Sequence, residues 1–470
     1  MPVDIPMLGA RNALWFAAQL HLFFAAFVLG APIFIVISEW LGLRTQDPRY
    51  ERLAKETMKV VAIAYSLTAI FGVLFAFVLM GPYQPVTNYL FRTLYPVFAL
   101  YGLFILLETV CMYIYWYTWE PWSQTVARKR AHIGIGVLLN LLGTIVMFLM
   151  NAVSGFMNTP PKEIETASLW MMVNNAAWWP LNLHRFLGNV TFGGFVVALF
   201  AAFMFLTSRE EEDRAFYDWM GYIGNLIGVG TLMTLPLAGY ILAKDFFLYD
   251  AQLATFMMAD KLSGYFVTQG LLVVLLFLGA NYYMWLSMKR IEGGIRFEPH
   301  MKAIFAVMLA GGIIWMVPQN FFPDLLAQPP AGVSEEVLIL PERFAFLGLM
   351  VAKALAVTAI IIMTFVTYLL YRRARATGKI LWGRIDPMAQ YVLIFIPAIA
   401  VYLMGLMGAI RELTRMDYHI YGLVKDITPY WYTATLGHSS IMAAVTTVLF
   451  FVLLAFIFWI GFVLRGSEEG

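Results

Sequence analysis

Residues 14–30, LWFAAQLHLFFAAFVLG, decide the fold class of this chain. With the apolar residues on both sides, the stretch exceeds the roughly 20 residues that an α-helix needs to cross a bilayer. His21 is its one titratable residue, and a titratable side chain in hydrocarbon costs several kcal/mol, so such a residue reads as functional by default. The stretch therefore predicts a membrane-spanning helix that carries a functional histidine.

The composition extends this prediction to a polytopic membrane protein. Of 470 residues, 61% are hydrophobic and only 13% are charged, whereas about 25% of the residues of a soluble domain are charged. The net charge of +2 gives no reason to expect a nucleic-acid partner. We expect a chain that lies in the lipid bilayer and has almost no soluble mass.

The single cysteine, Cys111, lies inside an apolar run. One cysteine excludes an intrachain disulfide, a zinc site, an iron–sulfur cluster and a C-x-x-C-H haem attachment. Any haem in this chain is therefore expected to be non-covalent. The N-terminus lacks a basic region, so we expect no cleaved signal peptide.

Apolar runs along the chain predict an all-α membrane protein of about 11 transmembrane helices. The loops after the first, third, fifth, seventh and ninth runs hold most of the 31 Lys and Arg residues. Since cytoplasmic loops are rich in these residues, we expect the N-terminus outside and the C-terminus in the cytoplasm. The runs are residues 12–42, 57–82, 95–119, 131–157, 183–207, 215–243, 263–288, 300–320, 342–371, 387–410 and 437–464.

Four further residues in or beside these runs have side chains that bind metals or protons. At about 1.5 Å per helical residue, His21 and three of the four fall in the outer half of the bilayer. Histidine and methionine in apolar surroundings are axial ligands of buried haem iron, so the set predicts a haem site. The four are Glu108 in LYGLFILLETVCMYIYW, which lies deeper, His184 in LHRFLGNVTFGGFVVALF, Met350 in RFAFLGLMVAKALAV and Glu412 in MGAIRELTR.

In these segments the chain resembles subunit I of the cytochrome bd-type quinol oxidases. The resemblance covers roughly residues 10–262 and 342–460, and six segments occur in the family's order. They are Arg11 to His21 followed by LFFAAFVLGAPIF, LLETV, MNAVSGFMNTP at 150–160, His184 with its Gly-rich helix, FAFLGLMVA, and the Glu-x-x-Arg segment of Glu412 and Arg415.

The resemblance implies a role for each matched residue. His21 would bind a haem of the family's high-spin pair, and Glu412 would bind another haem. His184 and Met350 would be the two axial ligands of a low-spin haem b. By the same resemblance, Arg11 is expected to contact a haem.

The resemblance also implies cofactors, partners and a location. The cofactors would be low-spin haem b, one or two further haems of b or d type, and a quinone. The chain would oxidise quinol at the outer face and pass electrons through the haems to oxygen, with Arg415 in the catalytic machinery. Partner membrane subunits are expected, in the inner (cytoplasmic) membrane of a prokaryote.

The segment after the sixth run carries the expected quinol contacts. KDFFLYDAQ (244–252) resembles the family's Asp-x-x-x-Tyr segment, which gives Asp245 and Tyr249, and Asp260 falls where the family has an acidic quinol-contacting residue. Because a quinol loses two protons with its two electrons, a carboxylate at the membrane surface is a suitable proton acceptor. We expect Asp260 to have that role and Glu108 to be a buried proton carrier or a neighbour of a haem propionate.

The chain departs from the family pattern around the expected high-spin site and at the quinol loop. The family's long polar loop after the sixth helix is missing, and two apolar runs, 263–288 and 300–320, stand in its place. The other departures are Leu100 and Tyr101 near a second family Glu, Gly408 for a family Trp, and Gly348 for a family Arg.

These departures leave other functions open. The chain could pass quinol electrons to a partner such as a c-type cytochrome without reducing oxygen, transport protons or ions through its buried carboxylates, or anchor a partner without haem. Transporters often carry inverted repeats, and the sequence shows no repeat. We divide the chain into bd-oxidase-like haem-binding helices (1–262), two inserted apolar segments with an outer loop (263–341), and C-terminal haem-binding helices (342–470).

Overall fold

Long helices form nearly the whole structure, a computed structural model that describes residues 9–251, 253, 256, 262–317, 351–425 and 436–463. In this part of the chain, 11 helices are long and apolar enough to cross a membrane. The number of spans and the all-α class predicted from the sequence are therefore confirmed, and the protein is a multi-pass membrane protein. The sides on which the two termini lie stay a prediction.

The helices and strands are numbered in chain order. A 3₁₀ turn, Gly294–Phe297, precedes α12, and a π-helical turn, Trp459–Val463, follows α15. Two short antiparallel strands, β1 (Tyr418–Ile420) and β2 (Val424–Lys425), follow α14. The helices are α1 Ala10–Thr45, α2 Pro48–Met80, α3 Gln84–Thr93, α4 Tyr95–Tyr117, α5 Trp119–Trp122, α6 Val126–Asn158, α7 Leu169–Val173, α8 Trp178–Thr207, α9 Glu211–Leu232, α10 Leu235–Tyr249, α11 Ser263–Met288, α12 Glu298–Met316, α13 Val351–Thr377, α14 Pro387–Thr414 and α15 Leu436–Phe458.

The sixth span is longer than predicted and is interrupted once. The sequence predicts a loop from residue 244, but α10 continues to Tyr249. The backbone hydrogen bonds of the helix are interrupted between α9 and α10 because Pro236, at the start of α10, has no N–H to donate. Apolar residues follow this proline, and the helix continues past Asp245 to Tyr249.

Helices α1 and α8 form the centre of the bundle. In their most apolar stretches, 67% and 72% of the residues are buried, against 17% in α2. They approach closely because small residues lie between them: a Cβ on Gly30 would lie 1.8 Å from the Asn189 carbonyl oxygen, and one on Gly193 would lie 2.8 Å from the Ala31 nitrogen. Lipid tails are as apolar as the side chains, so close packing of this kind is what holds membrane helices together.

The two inserted segments form α11 and α12 and pack against the C-terminal helices. The main neighbour of α11 is α14, with a smaller contact to α9, and α12 lies against α13. A fully buried ion pair between Asp218 of α9 and Arg290, just after α11, fastens this region. The Gly383 amide, between α13 and α14, also donates to Asp218 Oδ2 at 2.9 Å, so Asp218 contacts both the insertion and the C-terminal region.

A buried polar cluster lies where α1, α4 and α6 meet at the end of the bundle that carries the basic loops. Glu39 of α1 is 0% exposed. Its Oε1 lies 2.6 Å from His132 Nδ1 and 3.0 Å from Lys129 Nζ, and Tyr115 donates its hydroxyl to Oε2 at 2.6 Å. His132 Nε2 lies 2.8 Å from the Tyr115 carbonyl oxygen. Glu39 therefore joins α1 to α4 through Tyr115 and to α6 through Lys129 and His132.

Gly30→Ala should weaken the assembly of the bundle. The new methyl group meets the α8 backbone, which cannot move aside like a side chain, so we expect a cost of about 1–3 kcal/mol or more. Thermal denaturation of the detergent-purified protein measures this. Gly134→Ala is the matched control, because nothing lies within 4 Å of a Cβ there. Equal denaturation temperatures for the two variants would contradict the close α1–α8 contact.

Glu39→Leu should destabilise the protein more than Glu39→Gln. Leucine leaves the His132 imidazole and the Tyr115 hydroxyl buried without their acceptor, at a cost of about 3–5 kcal/mol. It also removes one of the two carboxylates that contact Lys129, the other being Glu51. Glutamine keeps a hydrogen-bonding oxygen. Thermal denaturation again gives the readout. Glu120→Gln removes an exposed partner of Lys55 and should cost about 0–1 kcal/mol. A Glu39→Leu variant no less stable than this control would show that the buried cluster does not hold the helices.

Candidate functional site

Most residues selected from the sequence lie at the end of the bundle opposite the basic loops, which we call the distal end. The distal end contains the first turns of α1 and α8, the last turns of α6, α10 and α14, and the β1–β2 hairpin. Arg11, His184, Tyr249, Glu412 and Arg415 all belong to these segments. Side chains that are far apart in the sequence therefore share one end of the bundle.

Glu412 is held between two arginines at the end of α14. Its Oε1 accepts from Arg411 Nη2 at 2.9 Å, and its Oε2 accepts from Arg415. Arg411 also donates from Nη1 to Ser154 Oγ at 2.7 Å, and Asn158 Nδ2 donates to the Arg411 carbonyl oxygen at 3.2 Å. The Glu-x-x-Arg segment is thereby fastened to the MNAVSGFMNTP segment at the end of α6.

Arg11 and Arg415 come together around His419 of the β1–β2 hairpin. Burial, then the positive charge of Arg415 and of Arg11, lower the pKa of His419 to about 4. His419 is therefore neutral at pH 7 and adds no further charge to the two guanidinium groups. The sequence places His419 in a loop, and nothing in its local pattern separates it from an ordinary surface histidine.

His184 and its neighbour Arg185 point to different helices. The His184 ring lies against α10, where its Nε2 is 3.6 Å from the position of a Cβ on Gly239. Within the described ranges, neither ring nitrogen has a hydrogen-bond partner. Arg185 donates from Nη1 to Asn151 Oδ1 of α6 at 2.5 Å. Met350, the expected second ligand beside His184, lies outside the described residues.

His21 faces α2. Its Nδ1 lies 2.9 Å from the Thr68 carbonyl oxygen, and the ring fills the space beside Gly72. A carbonyl oxygen only accepts, so Nδ1 carries the proton and Nε2 keeps the lone pair that a metal ligand needs. Gln19, two residues earlier, faces the other way and donates to the Gly405 carbonyl oxygen of α14 at 3.2 Å. His21 and Glu412 are thus on different sides of α1.

Glu108 is buried inside the bundle, with 7% of its surface exposed. Its carboxyl group borders a small cavity between α1, α2, α4 and α6, together with Tyr65, Asn140 and Gly143. The free space is on the order of one water molecule. Glu108 therefore faces the protein interior, where a carboxyl group can exchange a proton with water.

The segment expected to bind quinol is partly helical. Tyr249, the last residue of α10, donates its hydroxyl to the Pro160 carbonyl oxygen at 2.6 Å, and Tyr421 donates to Asp250 Oδ2 at 2.8 Å. Asp245 is half-buried, one helical turn before Tyr249. Asp260 lies outside the described residues. These contacts join α10 to the α6–α7 connection and to the hairpin.

Gly408 of α14 lies beside the buried polar side chain of Gln19. Gly408 stands where the family has a tryptophan, and a Cβ there would lie 3.7 Å from Gln19 Nε2. Gln19 is 5% exposed and accepts a hydrogen bond from Thr446 at 2.9 Å. Beside Gly408, Gln19 therefore forms a polar bridge between α1, α14 and α15.

The donor groups at the distal end fit haem better than a metal ion bound by protein alone. In the part of the chain that the structure describes, no group of three or more His, Cys, Asp and Glu side chains could hold a metal ion. A haem iron needs only one or two protein ligands. His21, with its Nε2 lone pair, and His184, with no competing hydrogen bond from any described residue, are each suitable as such a ligand.

Comparisons with known proteins identify the fold and the family of the chain. The solved structure of bd oxidase from Geobacillus thermodenitrificans matches with a TM-score of 0.54 and 14% sequence identity, over 100% of both chains. At this identity the likeness shows the shared fold. No curated protein matches the chain. A family model described as cytochrome bd terminal oxidase subunit I matches residues 10–263, more than half of the sequence, and the chain therefore belongs to the cytochrome bd terminal oxidase subunit I family, whose members are haem-containing components of membrane quinol oxidases.

Proposed function

We propose that this chain oxidises quinol at the outer membrane face and passes the electrons through its haems to oxygen. The observation that carries the proposal is a set of hydrogen bonds at the distal end. Arg185, next to His184 in the sequence, bonds Asn151 of α6, and Arg411, which holds Glu412, bonds Ser154 of the same helix. Polar side chains inside a membrane bundle are costly and mark functional sites.

His184 and Met350 are the proposed ligands of a low-spin haem b. His184 lies in the second turn of the central helix α8, and Met350 directly precedes the first described residue of α13. When bound, haem supplies a reversible one-electron carrier. The chain's own contribution is the His184 imidazole, which has no competing hydrogen bond among the described residues, and the soft thioether sulfur of Met350. These two groups would hold the haem iron.

His21 and Glu412 are the proposed ligands of one or two further haems of b or d type. They lie on different sides of α1, which favours separate haems rather than one shared iron. Arg11 and Arg415 supply positive charge beside Glu412 and the hairpin. In this position they would stabilise negative charge on haem carboxylates or on the quinol as it loses protons.

Quinol oxidation releases two electrons and two protons, so the quinol site needs a base. We assign the base to Asp260, and the headgroup contacts to Asp245 and Tyr249 of α10. Glu108, beside its water-sized cavity, is the proposed proton carrier deeper in the bundle. We further propose that the outer face is the distal end, that the protein lies in the inner membrane of a prokaryote, and that the three segments 1–262, 263–341 and 342–470 are its functional divisions.

The second candidate function is transfer of quinol electrons to a partner, such as a c-type cytochrome, without reduction of oxygen. The polar bridge of Gln19 beside Gly408 favours it, because by the resemblance the family has a tryptophan at the position of Gly408. Oxygen uptake by the purified complex with excess quinol separates the two. Uptake in proportion to quinol oxidised supports the oxidase, and quinol oxidation only with an added cytochrome supports the alternative.

Met350→Leu should convert the low-spin haem to a high-spin form while the protein still folds. Leucine has nearly the same volume but no sulfur, so the iron loses its sixth ligand. The reduced-minus-oxidised absorbance spectrum reports the change. Met363→Leu, in the same helix α13, is the matched control and should keep the wild-type spectrum. A wild-type spectrum for Met350→Leu would remove Met350 from the ligand set.

Asp260→Asn should slow quinol oxidation about 10²–10⁴-fold, the usual contribution of a positioned base, and should leave the haem spectrum intact. Steady-state quinol oxidation and the spectrum are measured on the same preparation. Asp417→Asn is the control, since Asp417 is an exposed carboxylate at the distal end, 3.2 Å from Lys425. Wild-type turnover of Asp260→Asn would place the quinol base elsewhere.

A further inference from the structure

Two arginines, Arg185 of α8 and Arg411 of α14, converge on one face of α6. Arg185 donates to Asn151 Oδ1 at 2.5 Å, and Arg411 donates to Ser154 Oγ at 2.7 Å. Asn151 and Ser154 are three residues apart on α6, about 4.5 Å along its axis. The two guanidinium groups are close enough for their charges to repel.

The described residues around this pair provide little negative charge. Arg185 contacts the neutral amide of Asn151, and Arg411 shares its one carboxylate, Glu412, with Arg415. Two part-buried guanidinium groups this close together at the end of an apolar bundle are costly unless an anion balances them. An anion between Arg185 and Arg411 would offset both the repulsion and the burial of charge.

A third donor lies beside the pair. Asn182, one helical turn before Arg185, is 1% exposed. Its Oδ1 accepts from Asn151 Nδ2 at 2.7 Å, and its Nδ2 is buried with no hydrogen-bond partner in the described structure. A buried N–H without an acceptor costs about as much as a lost hydrogen bond, so Asn182 indicates an acceptor that approaches between α6 and α8.

We propose that Arg185, Arg411 and the Asn182 amide form a carboxylate site that holds the propionate groups of the haem bound by His184. The proposal rests on the proposed function, because it requires that haem. Haem carries two propionates, which match the two guanidinium charges, and His184 directly precedes Arg185 in the sequence. A lipid phosphate group could bind the same donors, so the test must distinguish a lipid phosphate from the haem propionates.

The test measures the haem midpoint potential of Arg185→Gln and Arg411→Gln. Without a guanidinium partner, an ionised propionate stabilises the ferric haem, so both variants should titrate at a lower potential than wild type. Arg185→Lys keeps the charge and should stay close to wild type. Arg92→Gln is the matched control, because it removes an exposed distal-end cation from α3 and should change nothing.

Infrared redox-difference spectra identify the anion directly. The protein is produced with haem that carries ¹³C at the propionate carboxyl carbons. The carboxylate bands that shift with this label should change frequency in both glutamine variants and should keep the wild-type frequency in Arg92→Gln. If Arg411→Gln fails to assemble, Asn182→Asp tests the same site, because its new carboxylate competes with the propionates for Arg185. This variant should lower the haem midpoint potential and change the frequency of the labelled carboxylate bands.

The outcomes separate this proposal from the proposed function. A wild-type protein without haem refutes both. A haem-containing wild type whose glutamine variants keep the wild-type potential and carboxylate bands refutes the propionate site alone. A lower potential with unmoved labelled bands also refutes it, because the anion would then be another group, such as a lipid phosphate.

Discussion

The pairing of charged and polar side chains between helices is the constraint on which the rest of this structure depends. An apolar bundle cannot leave an ionised group without a partner, so each such group fixes the position of a neighbouring helix. Helix α6 has this function at both of its ends. Lys129 and His132 hold Glu39 of α1 at the basic end, and Asn151 and Ser154 receive Arg185 and Arg411 at the distal end.

The spans could be predicted from the sequence because a membrane helix satisfies its own backbone hydrogen bonds. Length and apolarity are then sufficient, and the 11 spans follow without knowledge of neighbours. The same reasoning selected His21, His184 and Glu108 as titratable groups in apolar runs, and the structure places all three against other helices. The predicted end of the sixth span, residue 243, is wrong because α10 continues through KDFFLY, where charged and apolar residues alternate too irregularly for hydropathy to locate the helix end.

Lateral contacts were not predictable, because hydropathy does not say which helix faces which. Glu39 lies in the first apolar run, as Glu108 lies in the third, but hydropathy does not indicate that it meets Lys129 and His132 of α6. Arg185 and Arg411 directly adjoin His184 and Glu412 but attract no notice in the sequence, since arginines near a span end are common. His419 could not be selected from the sequence, because only the folded hairpin places it beside Arg11 and Arg415.

The account's central claim is that the distal end of this bundle holds haem for the oxidation of quinol. The most direct measurement is the reduced-minus-oxidised absorbance spectrum of the purified protein, recorded with quinol as the reductant. The account predicts the bands of a low-spin haem b with histidine and methionine ligands, reduced by quinol. A preparation of folded protein with no absorbance beyond the protein band would contradict it.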